Sequence, residues 1–158
     1  MLEGCKNARE RWSGVHQMID KWLQERQELI VNYTEIAHQV KNGTPVTHNQ
    51  VQVLCDVMVD YTSAGHFEIF EQLCREAEAF SDQDAINLSH KIFPLIQKST
   101  DVILDFNEAY GSEISTADTT SSLPDRLSTL GEYLADRFQH EDTLIETLHT
   151  AHRELVGS

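Results

Sequence analysis

Basic residues are scarce in this sequence of 158 residues: 12 Lys and Arg stand against 26 Asp and Glu, for a formal net charge of −14. A field of this sign repels phosphate backbones and anionic lipids, so direct binding to nucleic acid or to a membrane surface is not expected. A basic protein partner would instead be attracted, for example a DNA-binding module met through its own DNA face.

Cysteine and long apolar runs are also lacking. Cys5, Cys55 and Cys74 are odd in number, far apart and without C-x-x-C spacing, which argues against a disulfide framework or a zinc knuckle. The first residues contain no apolar signal-peptide core, and no run of about eighteen apolar residues occurs anywhere. The sequence therefore predicts a soluble cytoplasmic protein without a cofactor.

Only seven Gly and three Pro interrupt the chain, which leaves long intervals for regular structure. Thr47-His48-Asn49-Gln50 is a capping box, and Ser122-Leu123-Pro124-Asp125 is a cap with proline in the first turn of the helix that it starts. The polar stretch 111–122 is predicted to be the longest loop. Apolar residues at helical spacing predict helices over about 7–40, 48–80, 83–110 and 123–155. The fold class expected is all-α, one domain over 1–158 forming an antiparallel four-helix bundle with long helices.

The stretch VDYTSAGHFEIFE, Val59 to Glu71, places serine, glycine and histidine side by side within the second predicted helix. Rotation by about 100° per residue puts His66 in the core-facing arc. The opposite side carries an apolar stripe flanked by carboxylates, which we call the docking stripe: Asp60, Ser63, Ala64, Phe67 and Glu71. Either a terminus or a neighbouring helix covers Phe67, or the stripe receives a helical partner with an apolar patch and a basic rim.

Two charged residues fall on core-facing stripes, Arg26 in the first predicted helix and Glu141 in the fourth. Either one would cost several kcal/mol if it were buried without a partner. We therefore predict a buried polar network of Arg26, His66 and Glu141.

Metal and catalytic sites are the alternatives for the same residues. The set His16, His66, Glu71, His90, His140 and Glu141 invites comparison with hemerythrin or ferritin sites, but none of these residues belongs to a Glu-x-x-His pair. Ser63 and His66 are three residues apart, yet no nucleophile elbow, oxyanion loop or phosphate-binding glycine motif accompanies them. The sequence predicts neither a metal site nor an enzyme.

Several segments resemble one protein family. The pattern VDYxSAGHFxIxE at Val59 to Glu71, IDKWLQERQELIV at Ile19 to Val31, KIFP at Lys91 to Pro94 and RFxxEDxLI at Arg137 to Ile145 resemble the Rsd/AlgQ family of bacterial anti-sigma regulators. The opening MLEGCKNARERW is most similar to the pseudomonad AlgQ-like branch. The segments HQVKNGTPVTHNQ and GSEISTADTTSS match no family motif, so their contacts are not carried over.

The resemblance implies a helical bundle that binds the C-terminal, promoter-recognising helix-turn-helix region of the housekeeping sigma factor. Such binding keeps sigma from core RNA polymerase or from the −35 element, and the AlgQ branch acts on alginate and siderophore genes. The family's sigma-contact positions carry over to Asp60, Ser63 and Phe67, and Arg26, His66 and Glu141 also match family positions. A helical adaptor for another protein and a hemerythrin-like metal bundle remain the alternative functions.

Overall fold

The computed structural model describes residues 8–111 and 117–153, and every one of its regular elements is helical. A π-helical turn, Gly65–Ile69, joins the second and third α-helices into one continuous rod, and a 3-10 turn, Thr150–His152, follows the last helix. The α-helices are α1 Ala8–Lys41, α2 His48–Ala64, α3 Phe70–Ala79, α4 Gln83–Tyr110 and α5 Ala117–Leu148.

Within the described ranges the helices form four antiparallel rods. The α1 and α2 helices meet at Trp22 and Tyr61, whose rings stack with centroids 4.7 Å apart. The third rod, α4, packs on α3 through Phe93 and Phe70, with ring centroids 5.9 Å apart. The α5 helix closes the bundle, because it contacts both α4 and α1. The predicted all-α four-helix bundle is confirmed.

The apolar stripes of the four rods meet in one core, whose side chains are almost wholly buried. Helix–helix packing of amphipathic faces supplies most of the stability of such helices. No described helix is long and apolar enough to cross a membrane.

The second rod starts where the sequence predicts. The Thr47 hydroxyl accepts a hydrogen bond from the Gln50 backbone N–H at 3.1 Å, and the Gln50 side chain accepts one from the Thr47 backbone N–H at 3.0 Å. These two bonds satisfy donors that the first turn of a helix otherwise leaves free.

The predicted bounds of the fourth helix are wrong. Helix α5 already begins at Ala117, so Pro124 lies in its interior and part of the predicted loop 111–122 is helical. The Ser122 hydroxyl, expected to cap the helix, instead shares a hydrogen bond of 2.6 Å with the Tyr110 hydroxyl. The helix ends at Leu148 rather than near 155, because His149 leaves helical geometry with φ −129° and its ring is buried. Residues 112–116 of the predicted loop and residues 154–155 of the predicted helix lie outside the described residues.

Candidate docking surface and the polar interior beneath it

The π turn lies in the middle of the SAGHF motif. The Phe70 backbone N–H donates to the Gly65 carbonyl, a bond that spans five residues rather than four. Gly65 is buried against α1, and a Cβ atom there would lie 2.7 Å from Trp22 Cζ2. A hydrogen atom in place of a side chain therefore lets the Trp22 ring approach the helix backbone.

The prediction that His66 belongs to a buried network is wrong, because His66 is exposed. The helical wheel assumed the same rotation for every residue. A π turn holds an additional residue, so each of its residues advances through a smaller angle than in an α-helix. As a result His66, Phe67 and Glu68 are exposed in succession, whereas Gly65 and Ile69 are buried.

The docking stripe lies on the surface of the α2 to α3 rod. Asp60, Ser63 and Glu71 are exposed, and Ala64 is half-buried. Phe67 is the most exposed large apolar residue of the described chain, with 70% of its surface accessible. No described helix covers Phe67, and the terminal residues 1–7 and 154–158, which the other alternative concerns, lie outside the described residues.

Carboxylates surround the stripe. Glu25 of α1 is near enough to Asp60 and Glu68 for their charges to act on it. Partial burial is the largest effect on the pKa of Glu25 and raises it. The charge of Lys21 lowers this pKa, and the charges of Asp60 and Glu68 raise it further. Glu71 accepts a hydrogen bond of 2.7 Å from Arg75 one turn further along, and both side chains are about half exposed. The stripe therefore combines an exposed aromatic ring with a mostly negative border.

Glu141 is the centre of the polar interior directly beneath this rod. Its Oε1 atom accepts from Arg26 Nη2 at 3.2 Å and from the Tyr61 hydroxyl at 2.5 Å. Its Oε2 atom accepts from Arg137 Nε at 2.9 Å. Arg26 also donates to the Tyr61 hydroxyl at 2.9 Å and to Asp142 at 2.6 Å. Arg26 and Glu141 thus meet directly, with Tyr61 and Arg137 in the place where His66 was expected.

Burial controls the titration of this cluster. Desolvation raises the pKa of Glu141, although Arg137, Arg26 and the Tyr61 hydroxyl each act to lower it. Burial and the Glu141 charge likewise raise the pKa of Tyr61, which keeps its hydroxyl protonated as a donor. Arg137 binds α4 as well, through Thr100 Oγ1 at 2.8 Å and Ser99 Oγ at 3.0 Å. The cluster therefore ties α1, α2, α4 and α5 together.

Sequence reasoning missed Arg137 and Tyr61. Arg137 stands four residues before Glu141 on the same helix, and both belong to the segment RFxxEDxLI. Side chains four residues apart lie on one face of a helix, where they can form an ion pair. Tyr61 lies between Asp60 and Thr62, and the helical wheel assigned it to neither side. The i,i+4 spacing could have identified Arg137, whereas Tyr61 gives no comparable signal.

A second polar cluster joins the two ends of the described chain. His149 Nδ1 is 2.8 Å from Glu76 Oε2, and His149 Nε2 is 3.1 Å from His16 Nδ1. Trp12 stacks on His149, with ring centroids 4.2 Å apart, and donates its indole N–H to the His149 carbonyl. Desolvation raises the pKa of Glu76, with His149 acting against it. The cluster fastens the end of α5 and the start of α1 to α3.

The described residues do not gather a metal site. No three or more His, Cys, Asp or Glu side chains in this part of the chain are placed to hold a metal ion. Of the metal candidates, His16, His66, Glu71 and His90 are exposed, His140 is half-buried and Glu141 is buried. The Ser63 and His66 side chains are both exposed on the rod.

A helical bundle with a hydrogen-bonded polar interior and an exposed aromatic residue bordered by acids has the features of a protein-binding module. The chain belongs to the Rsd/AlgQ family: the family model described as "Regulator of RNA polymerase sigma(70) subunit, Rsd/AlgQ" matches residues 1–149. This family places the chain among regulators of the sigma factor, in preference to an unrelated adaptor or a metal-binding bundle.

Curated relatives agree with the family. The chain is 32% identical to the regulator of sigma D of Yersinia enterocolitica over 149 residues, covering 92% of this chain and 89% of that protein. It is 33% identical to the regulator of sigma D of Yersinia pseudotuberculosis, and the match covers 92% of this chain and 88% of that protein. The protein of the same name from Salmonella arizonae is 33% identical over 152 residues, and the match covers 92% of this chain and 90% of that protein. No solved structure matches the chain.

Proposed function

We propose that this protein regulates transcription in the cytoplasm by binding the C-terminal helix-turn-helix region of the housekeeping sigma factor through the docking stripe. It acts by occupying a surface and not by catalysis. The observation that carries the proposal is Phe67, which is 70% exposed, bordered by carboxylates and within the residues that match the family of sigma regulators.

Each residue of the stripe has a role suited to a basic helical partner. Asp60 pairs with an Arg or Lys of sigma, and Phe67 fills an apolar notch between its helices. Ser63 and Ala64 are small, so the partner backbone comes close to the rod. Glu71 adds negative charge at the end of the stripe, where a DNA-binding surface is positively charged.

The buried cluster of Arg26, Tyr61, Arg137 and Glu141 supports the stripe from below. Asp60 and Tyr61 are consecutive in the sequence, so the anchoring of Tyr61 to Arg26 and Glu141 also fixes the backbone that presents Asp60. Binding residues that are held rigid before association lose less entropy on binding.

The test is a calorimetric titration of the isolated C-terminal region of the sigma factor into the wild type, Asp60→Ala and Phe67→Ala. Loss of an anchor residue costs about 2 kcal/mol or more, which is roughly a 30-fold loss of affinity. The matched controls are Asp105→Ala and Leu104→Ala, an exposed acid and an exposed apolar residue of α4. We expect these two to leave the affinity unchanged.

Two results would count against the proposal. Unchanged affinity in both Asp60→Ala and Phe67→Ala would remove the docking stripe from the interface. Absence of binding by the wild-type chain would reject this region of sigma as the partner.

A further inference from the structure

A groove lies beside the docking stripe, between the α2 to α3 rod and α4. Its volume is about 320 Å³, and its walls are mostly apolar. Phe70 and Cys74 form one wall, and Phe93 and Ile96 form the other. Glu71 and Gln97 stand at the mouth on opposite sides.

The groove and the stripe are continuous. Glu71 belongs to both, and the ring of His66, which also lines the groove, lies edge-on to the Phe67 ring with centroids 4.8 Å apart. The π turn produces this arrangement, because its additional residue turns Phe70 and Cys74 toward α4 while Phe67 still faces outward. One rod therefore presents a projecting aromatic ring and, next to it, an apolar recess.

We propose that this groove receives an aliphatic or aromatic side chain from a basic helix of the sigma factor that docks on the stripe. The inference rests on the proposed function and adds a second anchor to it. Phe67 enters the partner, and a partner side chain enters the groove, so each protein supplies one projection and one recess.

Charge selects the kind of helix that fits. Glu71 stands on the α3 side of the mouth, where Arg75 already pairs with it. On the α4 side, Gln97 donates a hydrogen bond of 3.1 Å to Asp101. The exposed carboxylates of Asp101 beside the groove and of Asp60 on the docking stripe favour Arg or Lys next to the entering residue of the partner helix. The volume is at the lower end of the roughly 300–1,000 Å³ typical of small-molecule sites, which suits a buried side chain as an interface anchor.

Cys74 provides a direct probe of the groove. It is a free, half-buried thiol in the wall, whereas Cys55 is fully buried in the core and reports on unfolding. We would measure alkylation of each cysteine by N-ethylmaleimide at pH 8.5, using peptide mass mapping, with and without saturating sigma factor. We expect sigma to slow the labelling of Cys74 at least fivefold, with Cys55 unlabelled throughout. An unchanged Cys74 rate at saturation would overturn the groove as a contact.

A variant that closes the groove gives the second test. Gln97→Trp places a large ring at the mouth from an exposed position, and Lys98→Trp puts the same ring at the neighbouring exposed position, which does not line the groove. We expect Gln97→Trp to weaken sigma binding at least tenfold and Lys98→Trp to leave it unchanged, with circular dichroism showing equal helix content in both.

The outcomes separate the two proposals. If Phe67→Ala weakens binding but Gln97→Trp does not, the groove is overturned while the docking stripe stands. If the wild type does not bind sigma, both proposals fail. If a small apolar molecule, such as 8-anilinonaphthalene-1-sulfonate, occupies the groove and sigma does not displace it, the groove is a ligand site and the proposed occupant is wrong.

Discussion

Glu141 is a fully buried carboxylate between two arginines, a placement that makes the partners interdependent. Removing water from such charges costs several kcal/mol per ion, and the ion pairs recover this only while every partner is present. Arg137 is itself fully buried, and its Nη2 atom has no hydrogen-bond acceptor among the described residues. Loss of a single member is therefore more damaging than replacement of the pair.

At the residue scale we expect Arg137→Met to lower the free energy of unfolding by about 3–5 kcal/mol, because Glu141 then keeps a buried charge with fewer partners. The double variant Arg137→Met with Glu141→Leu is expected to recover part of this loss, since Arg26 still pairs with Asp142. Urea denaturation of both variants measures the coupling.

The control for this pair is Arg75→Met. Arg75 and Glu71 form an ion pair with the same four-residue spacing, but both side chains are about half exposed. Exposed pairs are typically worth below about 1 kcal/mol. Equal losses from Arg137→Met and Arg75→Met would show that burial of the Glu141 cluster does not control its energetics.

At the scale of elements, two helix starts use different caps. Thr47 caps α2 with a hydroxyl, and Asp82 caps α4 with a carboxylate that accepts from the Ala85 backbone N–H at 3.1 Å. The second oxygen of Asp82 is 2.8 Å from His152 Nε2. The hydrogen bond from His152 is the main reason why the pKa of Asp82 lies below its ordinary value of 3.8, and the bond from the Ala85 backbone N–H lowers it further. One cap is therefore sensitive to acid and the other is not.

We expect Thr47→Ala to cost about 0.5–2 kcal/mol at any pH, whereas the cost of Asp82→Ala should depend on pH. Because the pKa of Asp82 is lower in the folded state than its ordinary value of 3.8, its contribution is present above that value. The contribution is lost as the pH falls through the lower, folded-state pKa. Urea denaturation at pH 7 and pH 3 measures both variants, and an Asp82→Ala cost that persists unchanged at pH 3 would contradict the prediction.

The same elements show how far the sequence predicts the fold. The number of rods, their order and the Thr47 cap follow from apolar spacing and capping chemistry, which are local properties. The start of α5 does not, because Ala117 to Ser122 has loop-like composition and the tertiary bond from Tyr110 occupies Ser122. A proline in a helix interior is similarly unfavourable in isolation.

The candidate site was predictable where the helix is regular. Asp60 and Ser63 precede the π turn, and a simple wheel places both on the surface, as the structure does. His66 lies within the turn, where a wheel drawn with the α-helical rotation no longer predicts which side chains are exposed. The π turn begins at Gly65, which packs against Trp22, a residue 43 positions earlier in the sequence. A local sequence pattern does not reveal such a contact.

At the scale of the whole molecule, the net charge of −14 acts over distances longer than any contact. At physiological salt, charges are screened beyond about 8 Å. Such a field increases the rate at which a basic partner arrives and has less influence on how long the partner stays.

We therefore expect the association rate constant with the C-terminal region of sigma to fall as sodium chloride rises from 50 to 500 mM, with a smaller change in the dissociation rate constant. Stopped-flow fluorescence measures both. Phe67→Ala is the informative comparison, because an apolar anchor should raise the dissociation rate and leave the salt dependence of association unchanged. An association rate indifferent to salt would show that the charge does not steer the partner.

The π turn lets the rod carry one additional residue without disturbing the packing on either side of it. Its residues advance around the helix axis through smaller angles, so that Tyr61 before the turn and Phe70 and Leu73 after it all face the core. Removal of one exposed residue from the turn would therefore restore ordinary α-helical geometry and leave Phe70 and Leu73 buried. The exposed run that contains Phe67 would be shortened instead, so the additional residue serves the surface and not the core.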